Sequence, residues 1–412
     1  MSDYREVFKL ADILLPTDSL SESFSCYPVI ACDQHTSEPE YWRSVSDFVG
    51  DKPSTLNMII PEVYLSEAVK RTPLIHSAMK DYEQNVLTEY RSTMILCERT
   101  QADGRVRQGI VCALDLEAYD FTPDTKANVR ATEGTVLSRI PARVAVRRGA
   151  SLELPHVMLL INDPDCSIVE PEFAIKSNLR KVYDTELMLG GGHITGYVPN
   201  HRSGSFCMRR LNELASKCGD GYFSVAVGDG NHSLASAKAR FEEIKDEYGL
   251  EAAMQHPLRY ALCEIVNIYS PALDFEPIHR IVYGIEPSEF LKELKAFSSN
   301  YEGERYVLKT VVNGSFGEID LPRSKALSVA VLTDFLDVLA KEHPTVEIDY
   351  IHGDDTLTKL AKNGGIGIFC ENMQKSDLFD AVGKDGPLPR KTFSMGHAHD
   401  KRYYIEARKI DL

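Results

Sequence analysis

The 412-residue chain predicts an α/β protein built on a mixed sheet, and three observations carry that expectation. Between Tyr222 and Lys238 an apolar run, FSVAV, breaks at Gly228-Asp229-Gly230-Asn231-His232-Ser233 and resumes as an alanine-rich helical pattern, which reads as strand, tight loop and helix. STMILCERT and RVRQGIVCALDL flank the turn Ala102-Asp103-Gly104, the signature of an antiparallel hairpin. Beyond these, strand-like runs alternate with helical spacing along most of the chain.

Taken in order, the first 50 residues are irregular up to Cys32-Asp33-Gln34-His35-Thr36, and Pro39 then marks the start of a helix that contains Trp42. Asp33 and His35 are placed to face a ligand, or simply to shape a turn. Residues 62–90 predict helices interrupted at Pro73, and HVMLLIND predicts a buried strand. Gly190-Gly191-Gly192-His193 implies a flexible connection or a backbone wrapped around a ligand. MRRLNELASKCG is an amphipathic helix leading into the central strand, and a further strand, LRYALCEIVNIY, runs on to His279 and Arg280, which stand where that pattern ends. After residue 285 the texture changes to IEPSEFLKELKAF as helix, an Asn-Gly-Ser hairpin, and alternating short helices and strands. This divides the chain into a main α/β domain, 1–285, and a smaller C-terminal α/β lobe, 286–412. Near the end, Arg390 and Lys391 lie in a Pro/Gly-rich loop, and His397 and His399 form a His-x-His pair read as a solvated loop.

Composition narrows the function. A hydrophobic fraction of 43% with 26% charged residues is that of a globular protein, and no apolar run reaches the roughly 18–20 residues of a membrane helix. The N-terminus does not read as a secretory signal, so a cytoplasmic location is expected. Nine scattered cysteines without a Cys-x-x-Cys pair predict neither a disulfide framework nor a zinc ribbon. A formal charge of −15 repels a polyanion, which argues against nucleic acid as a partner while leaving room for a local patch that holds a nucleotide's phosphates.

The central loop suggests such a place. A helix N-terminus presents unpaired N–H groups and a positive dipole end, and Gly228 and Gly230 allow backbone to approach a ligand closely. Asp229 and His232 add a carboxylate and an imidazole, while Asn231 or Ser233 can cap the helix. The competing reading is a capped turn with His232 packed in place. Upstream, Arg130, Arg139, Arg143, Arg147 and Arg148 crowd around Thr132-Glu133-Gly134-Thr135. Glu133 there is either an ionised carboxylate in a cationic setting or a first-turn residue of a helix capped by Thr132.

VRATEGTVLSRIPARVAVRRGASLELPH, VGDGNHSLASAKA, FEPIHR and LPRKTFSMG, in this order, resemble the domain-of-unknown-function 1015 (DUF1015) family over nearly the whole chain. Other branches of that family carry an Asp-Gly-His-His-Arg loop and a His-Glu-x-Thr phrase. Here Asp229, Gly230, His232 and Glu133 match, whereas Asn231, Ser233 and Ala131 depart from those patterns. The Asp-Gly-x-His loop is also similar to the phosphate loop of the ParB/sulfiredoxin superfamily, whose members include free L-serine kinases.

What the resemblance implies is a ParB/sulfiredoxin-like core and an ATP-dependent phosphotransferase acting on a small hydroxyl metabolite, with free L-serine among the acceptors. ATP and Mg²⁺ are the implied cofactors. Gly228, Gly230, Asn231 and Ser233 would bind phosphate, with His232 donating to a phosphoryl oxygen and Glu133 accepting the hydroxyl proton. Asp229 would hold Mg²⁺ or assist as base. Arg130, Thr132, Arg139, Arg143 and Lys391 are further phosphate-binding candidates. A nucleotide or metabolite sensor and a phosphate-ester hydrolase remain as alternatives.

Overall fold

The computed structural model describes residues 6–17, 20, 23–219, 221–322, 329–396 and 398–412; His397 lies outside them. The chain divides into two compact units. The first comprises 1–131, 135–273 and 397–412, and the second comprises 132–134 and 274–396. The second unit thus includes strand Phe275–Tyr283, which the sequence reading assigned to the main domain. That strand pairs with Glu347–His352, Ile366–Ile368 and Phe393–Met395.

The first unit is built on a ten-stranded mixed sheet among the described residues. Its order is Arg180–Leu187, Gly192–Val198, Ile95–Thr100, Val106–Asp115, Tyr260–Asn267, Met158–Ile161, Val225–Asp229, Val129–Ala131 and Tyr119–Asp120, with Phe8–Lys9 on Val106–Asp115. Met158–Ile161 runs parallel to Tyr260–Asn267 and antiparallel to Val225–Asp229, so the sheet is mixed at its centre. Alternation along the strands feeds two cores. Ile110, Cys112 and Leu114 pack on one face, and Val111 and Ala113 on the other. Hydrophobic burial on both faces makes these central strands almost continuously apolar.

One polar group interrupts that pattern. Glu264, fully buried on the central strand Tyr260–Asn267, accepts from Arg107 Nε at 3.2 Å and Arg402 Nη1 at 2.6 Å. A Cβ on Gly109 would come within 2.5 Å of the Glu264 carboxylate, so the glycine leaves the room this charge needs. Arg402 reaches Glu264 because the last stretch of the chain returns to this unit. Tyr403–Tyr404 pairs with Val29–Ile30, and Arg408–Lys409 pairs with Leu152–Glu153.

Several local expectations change. The helix Ala68–Asn85 runs straight through Pro73. Proline deprives the Val69 carbonyl of its donor, but Val69 is 89% exposed and water can serve instead. Two of the glycines at 190–192 lie against the chain's own atoms. A Cβ on Gly191 would lie 2.4 Å from Tyr403 Oη, and one on Gly192 2.1 Å from the Thr100 carbonyl. His193 sits on the partly exposed strand beyond them, bonded to Asp184 at 2.6 Å and Glu186 at 2.9 Å.

The second unit has a six-stranded sheet of its own among the described residues, ordered Ser315–Pro322, Arg305–Val312, Ile366–Ile368, Phe275–Tyr283 and Glu347–His352, with Phe393–Met395 on Phe275–Tyr283. The predicted hairpin is present, turning at Asn313-Gly314 with φ of 50° and 80°. Helices Pro287–Ser298 and Val329–Glu342 bury Phe290, Leu294, Leu332 and Phe335 in one core, and Asp354–Lys362 buries Leu357 and Ala361 in another. Glu133 bridges Leu388 through the main chain, and Thr132 O accepts from Leu388 N at 2.7 Å. Thr132 therefore caps no helix; the next helical turn, Leu137–Arg139 in the first unit, has Val136 at its N-cap position.

Candidate functional site

The central strand Val225–Asp229 ends at Gly230, whose φ of +79° turns the chain into the helix Asn231–Tyr248. Gly230 itself occupies the N-cap position, with no side-chain cap, so neither Asn231 nor Ser233 caps this helix. Gly228 remains inside the strand, and only Gly230 needs the left-handed conformation. The fit is tight there: a Cβ at Gly230 would stand 3.0 Å from Val157 Cα and 3.3 Å from His156 Cδ2. Within the helix, the first turn's N–H groups have no intrahelical acceptor.

Asp229 Oδ1 accepts from Gly230 N at 3.1 Å, while Oδ2 is buried and makes no hydrogen bond. Lys401 Nζ lies 3.4 Å from that oxygen. Asn231 Oδ1 is likewise buried and unbonded. His232 Nε2 accepts the Val136 N–H at 3.2 Å, which fixes the ring's proton on Nδ1 and ties the helix to the segment after Gly134. Next to Val136, Thr135 Oγ1 is also buried without a hydrogen bond. Buried polar atoms are usually paired, so Asn231 Oδ1 and Thr135 Oγ1, beside the Asp229–Lys401 ion pair, make this loop the candidate place for a polar ligand.

Behind the loop, His156 Nδ1 lies 2.7 Å from Tyr404 Oη and Nε2 lies 3.5 Å from Asp33 Oδ2. Burial pulls the His156 pKa down, but the carboxylates of Asp33 and Asp229 outweigh it and raise the value above the usual 6.5. Burial acts on Asp33 in the opposite sense and is also outweighed. The His156 charge and hydrogen bond, a bond from Gln34 and the charge of Lys401 hold Asp33 well below the usual carboxylate range. Cys32 N donates to Tyr404 Oη at 3.2 Å, and burial, helped by Asp33, pushes the Cys32 thiol up to about 12. It is no thiolate nucleophile. His35, in the same loop at φ +51°, stacks on Tyr41 at 3.6 Å and keeps a buried, unbonded Nε2.

The arginine-rich passage is largely neutralised by carboxylates. Arg143 pairs with Glu62, Arg147 with Glu153 and Arg148 with Glu243. Arg130 is buried over Phe223 and donates to the carbonyls of Ala127 and Gly219, and Arg139 is exposed. An acidic chain supplies partners for its cations faster than it leaves a field of them. Thr132, Glu133 and Lys391 belong to the second unit, where Lys391 is exposed at φ +61°. His279 and Arg280 lie within strand Phe275–Tyr283 of that unit. His279 bonds Asp354 at 2.8 Å and accepts from Cys370 N at 3.1 Å.

Sequence reasoning missed His156, Lys401 and Tyr404. A Pro-His pair directly before five buried apolar residues was a signal for the first; Lys401 and Tyr404 gave none. Among the described residues, no group of three or more His, Cys, Asp or Glu is arranged to hold a metal ion, and no helix is long and apolar enough to cross a membrane.

A family model described as "Protein of unknown function (DUF1015)" matches residues 14–409. No curated protein matches the chain. Among solved structures, a mutant free serine kinase in complex with ADP is similar at 11% identity over 73% of this chain and 92% of its own, with a TM-score of 0.39. A conserved hypothetical protein from Pyrococcus furiosus aligns at 8% identity over 73% and 95%, with a TM-score of 0.35. SbnI with a C-terminal truncation, from Staphylococcus aureus, aligns at 9% over 69% and 82%, also with a TM-score of 0.35.

Proposed function

The chain belongs to the DUF1015 family, and from that premise we propose that it is an ATP-dependent phosphotransferase acting on a small hydroxyl metabolite, with free L-serine among the acceptors. The observation that carries the reading is the unbonded, buried Asp229 Oδ2 at the uncapped start of an 18-residue helix, with Lys401 Nζ 3.4 Å away. Phosphoryl transfer asks the protein mainly to hold phosphates, spread their charge and orient a hydroxyl. A helix N-terminus without a side-chain cap and a lysine suit the first two tasks.

In this reading the N–H groups of the first helical turn bind phosphate oxygens, and Asn231 and Thr135 bond the nucleotide or the acceptor. Lys401 swings from Asp229 to the transferring group and neutralises its charge. His232 stays neutral, Nε2 held by Val136, and donates from Nδ1. Glu133 keeps the proposed role of accepting the hydroxyl proton on the strength of the family resemblance alone. One Mg²⁺ suits the donor set, since a single carboxylate with phosphate oxygens and water meets its coordination. Asp229 Oδ2 would hold the ion, whose charge would offset that of the phosphates. The proposed partners are a nucleotide and a small metabolite, with nucleic acid disfavoured by the net charge of −15.

The test is a thermal-shift screen of nucleotides with and without Mg²⁺, followed by ADP release with a panel of small alcohols and amino acids. Acceptor-dependent ADP and a phosphorylated acceptor support the proposal. Nucleotide binding without turnover turns the reading to a sensor, and inorganic phosphate without acceptor turns it to a hydrolase. Glu133→Gln should abolish turnover while nucleotide binding survives, and equal activity removes Glu133 from the mechanism.

A further inference from the structure

We propose that Arg99 is a positioning residue of the Asp229 site, acting through Lys401. Its consequence for turnover rests on the phosphotransferase reading; its consequence for the placement of Lys401 does not.

Arg99 is 1% exposed, on strand Ile95–Thr100. A guanidinium this deeply buried commonly faces a carboxylate, yet Arg99 donates to main-chain carbonyls. Nε and Nη2 reach Gly191 O at 3.2 and 2.8 Å, Nη1 reaches Asp400 O at 3.2 Å, and the remaining bonds go to His399 O and Lys401 O. Three consecutive carbonyls on one rigid fork fix the path of the main chain through residues 399–401, where a flexible ammonium would leave it loose.

Neighbouring groups complete the clamp. Arg107 Nη1 donates to the same Asp400 carbonyl at 2.7 Å, and on the other side Arg402 Nε donates to Pro155 O at 2.9 Å. The ring of Tyr403 lies 4.9 Å under the Arg99 guanidinium. Gly191 is required for this approach, because a Cβ there would strike Tyr403 Oη. Lys401 is the residue whose side chain leaves this clamped turn for the nucleotide loop, ending at Asp229 Oδ2. A long, flexible side chain reaches one oxygen reproducibly only if its root is fixed, and the cage of carbonyls around Arg99 fixes it.

The experiment uses the full-length protein with Arg99→Gln, Arg99→Lys, Lys401→Ala and the double variant Arg99→Gln/Lys401→Ala. Competitive acetylation read by peptide mass spectrometry reports the accessibility and basicity of Lys401 and needs no turnover. The expected result is a several-fold rise in Lys401 labelling in both Arg99 variants, with other lysines unchanged. In saturation kinetics, kcat should fall on the order of 10- to 100-fold with little change in KM for the nucleotide. The double variant should be no slower than Lys401→Ala alone. Unchanged labelling overturns the proposal, and so does a loss in the double variant that multiplies the two single losses. If Arg99→Gln does not fold, Arg99→Lys, which keeps the charge and loses the fork, decides by the same two readings. If the wild type transfers no phosphate, labelling alone decides, and the phosphotransferase reading fails separately.

Discussion

Lys401 Nζ stands 3.4 Å from Asp229 Oδ2, joining the last stretch of the chain to the loop at its centre. If this lysine neutralises the transferring group, Lys401→Ala should lower kcat by on the order of 100- to 1,000-fold. Nucleotide affinity should change far less. Steady-state kinetics beside equilibrium binding separates the two, and an unaltered kcat removes Lys401 from the chemistry.

Asp229→Asn keeps the shape of the loop and removes its charge. Activity plotted against Mg²⁺ concentration should become weaker and flatter than in the wild type, and superimposable curves would rule out Asp229 as the metal's ligand. Because the Asp229 carboxylate also helps raise the His156 pKa, the same variant should shift the imidazole's titration to lower pH in an NMR experiment.

The Asp33–His156 pair makes stability depend on pH in a defined sense. His156 is raised above 6.5 in the fold, so its contribution is complete below 6.5 and is lost as pH rises through the raised value. Asp33 is depressed below 3.8, so its contribution is present above 3.8 and is lost as pH falls through the depressed value. Asp33→Asn should therefore lower the melting temperature most between 3.8 and 6.5, with the deficit shrinking at higher pH. Melting curves from pH 4 to about 9 check this, and a deficit independent of pH contradicts it.

Gly230→Ala should destabilise by about 1–2 kcal/mol from the left-handed backbone alone. Contact with Val157, 3.0 Å from the added Cβ, adds to that cost. Gly249, at φ 82° and ψ 161°, lies in a region that glycine alone readily occupies, so the backbone cost of Gly249→Ala should exceed that of Gly230→Ala even though nothing stands within 4 Å of its Cβ. Urea unfolding of the two variants measures the difference.

Much of the first unit was legible because local pattern and final structure agree. FSVAV followed by a glycine-punctuated loop and an alanine-rich run gave strand Val225–Asp229 and helix Asn231–Tyr248, and Ala102-Asp103-Gly104 gave the hairpin. The site was only partly legible. Asp229, Gly230, Asn231 and His232 are consecutive at one strand-to-helix turn, and such spacing can be read. His156 and Lys401 come to that loop from distant parts of the chain, and such contacts leave no periodicity behind. Two signals pointed elsewhere: Gly191 of the triple glycine makes room for Tyr403, and the arginine run finds its carboxylates on other elements. Pro73 misled because an exposed helix tolerates a missing donor.

The return of residues 398–412 to the first unit bears on how the protein is made. A ribosome delivers the ten-stranded sheet and the whole second unit before it delivers Lys401 and Tyr404. Until then Glu264 has Arg107 but lacks Arg402, Arg99 has the Gly191 carbonyl but lacks those of residues 399–401, and the Asp229 loop has no lysine. Completion of the Asp229–Lys401 pairing is thus expected late in translation, after the strands of both large sheets have left the ribosome.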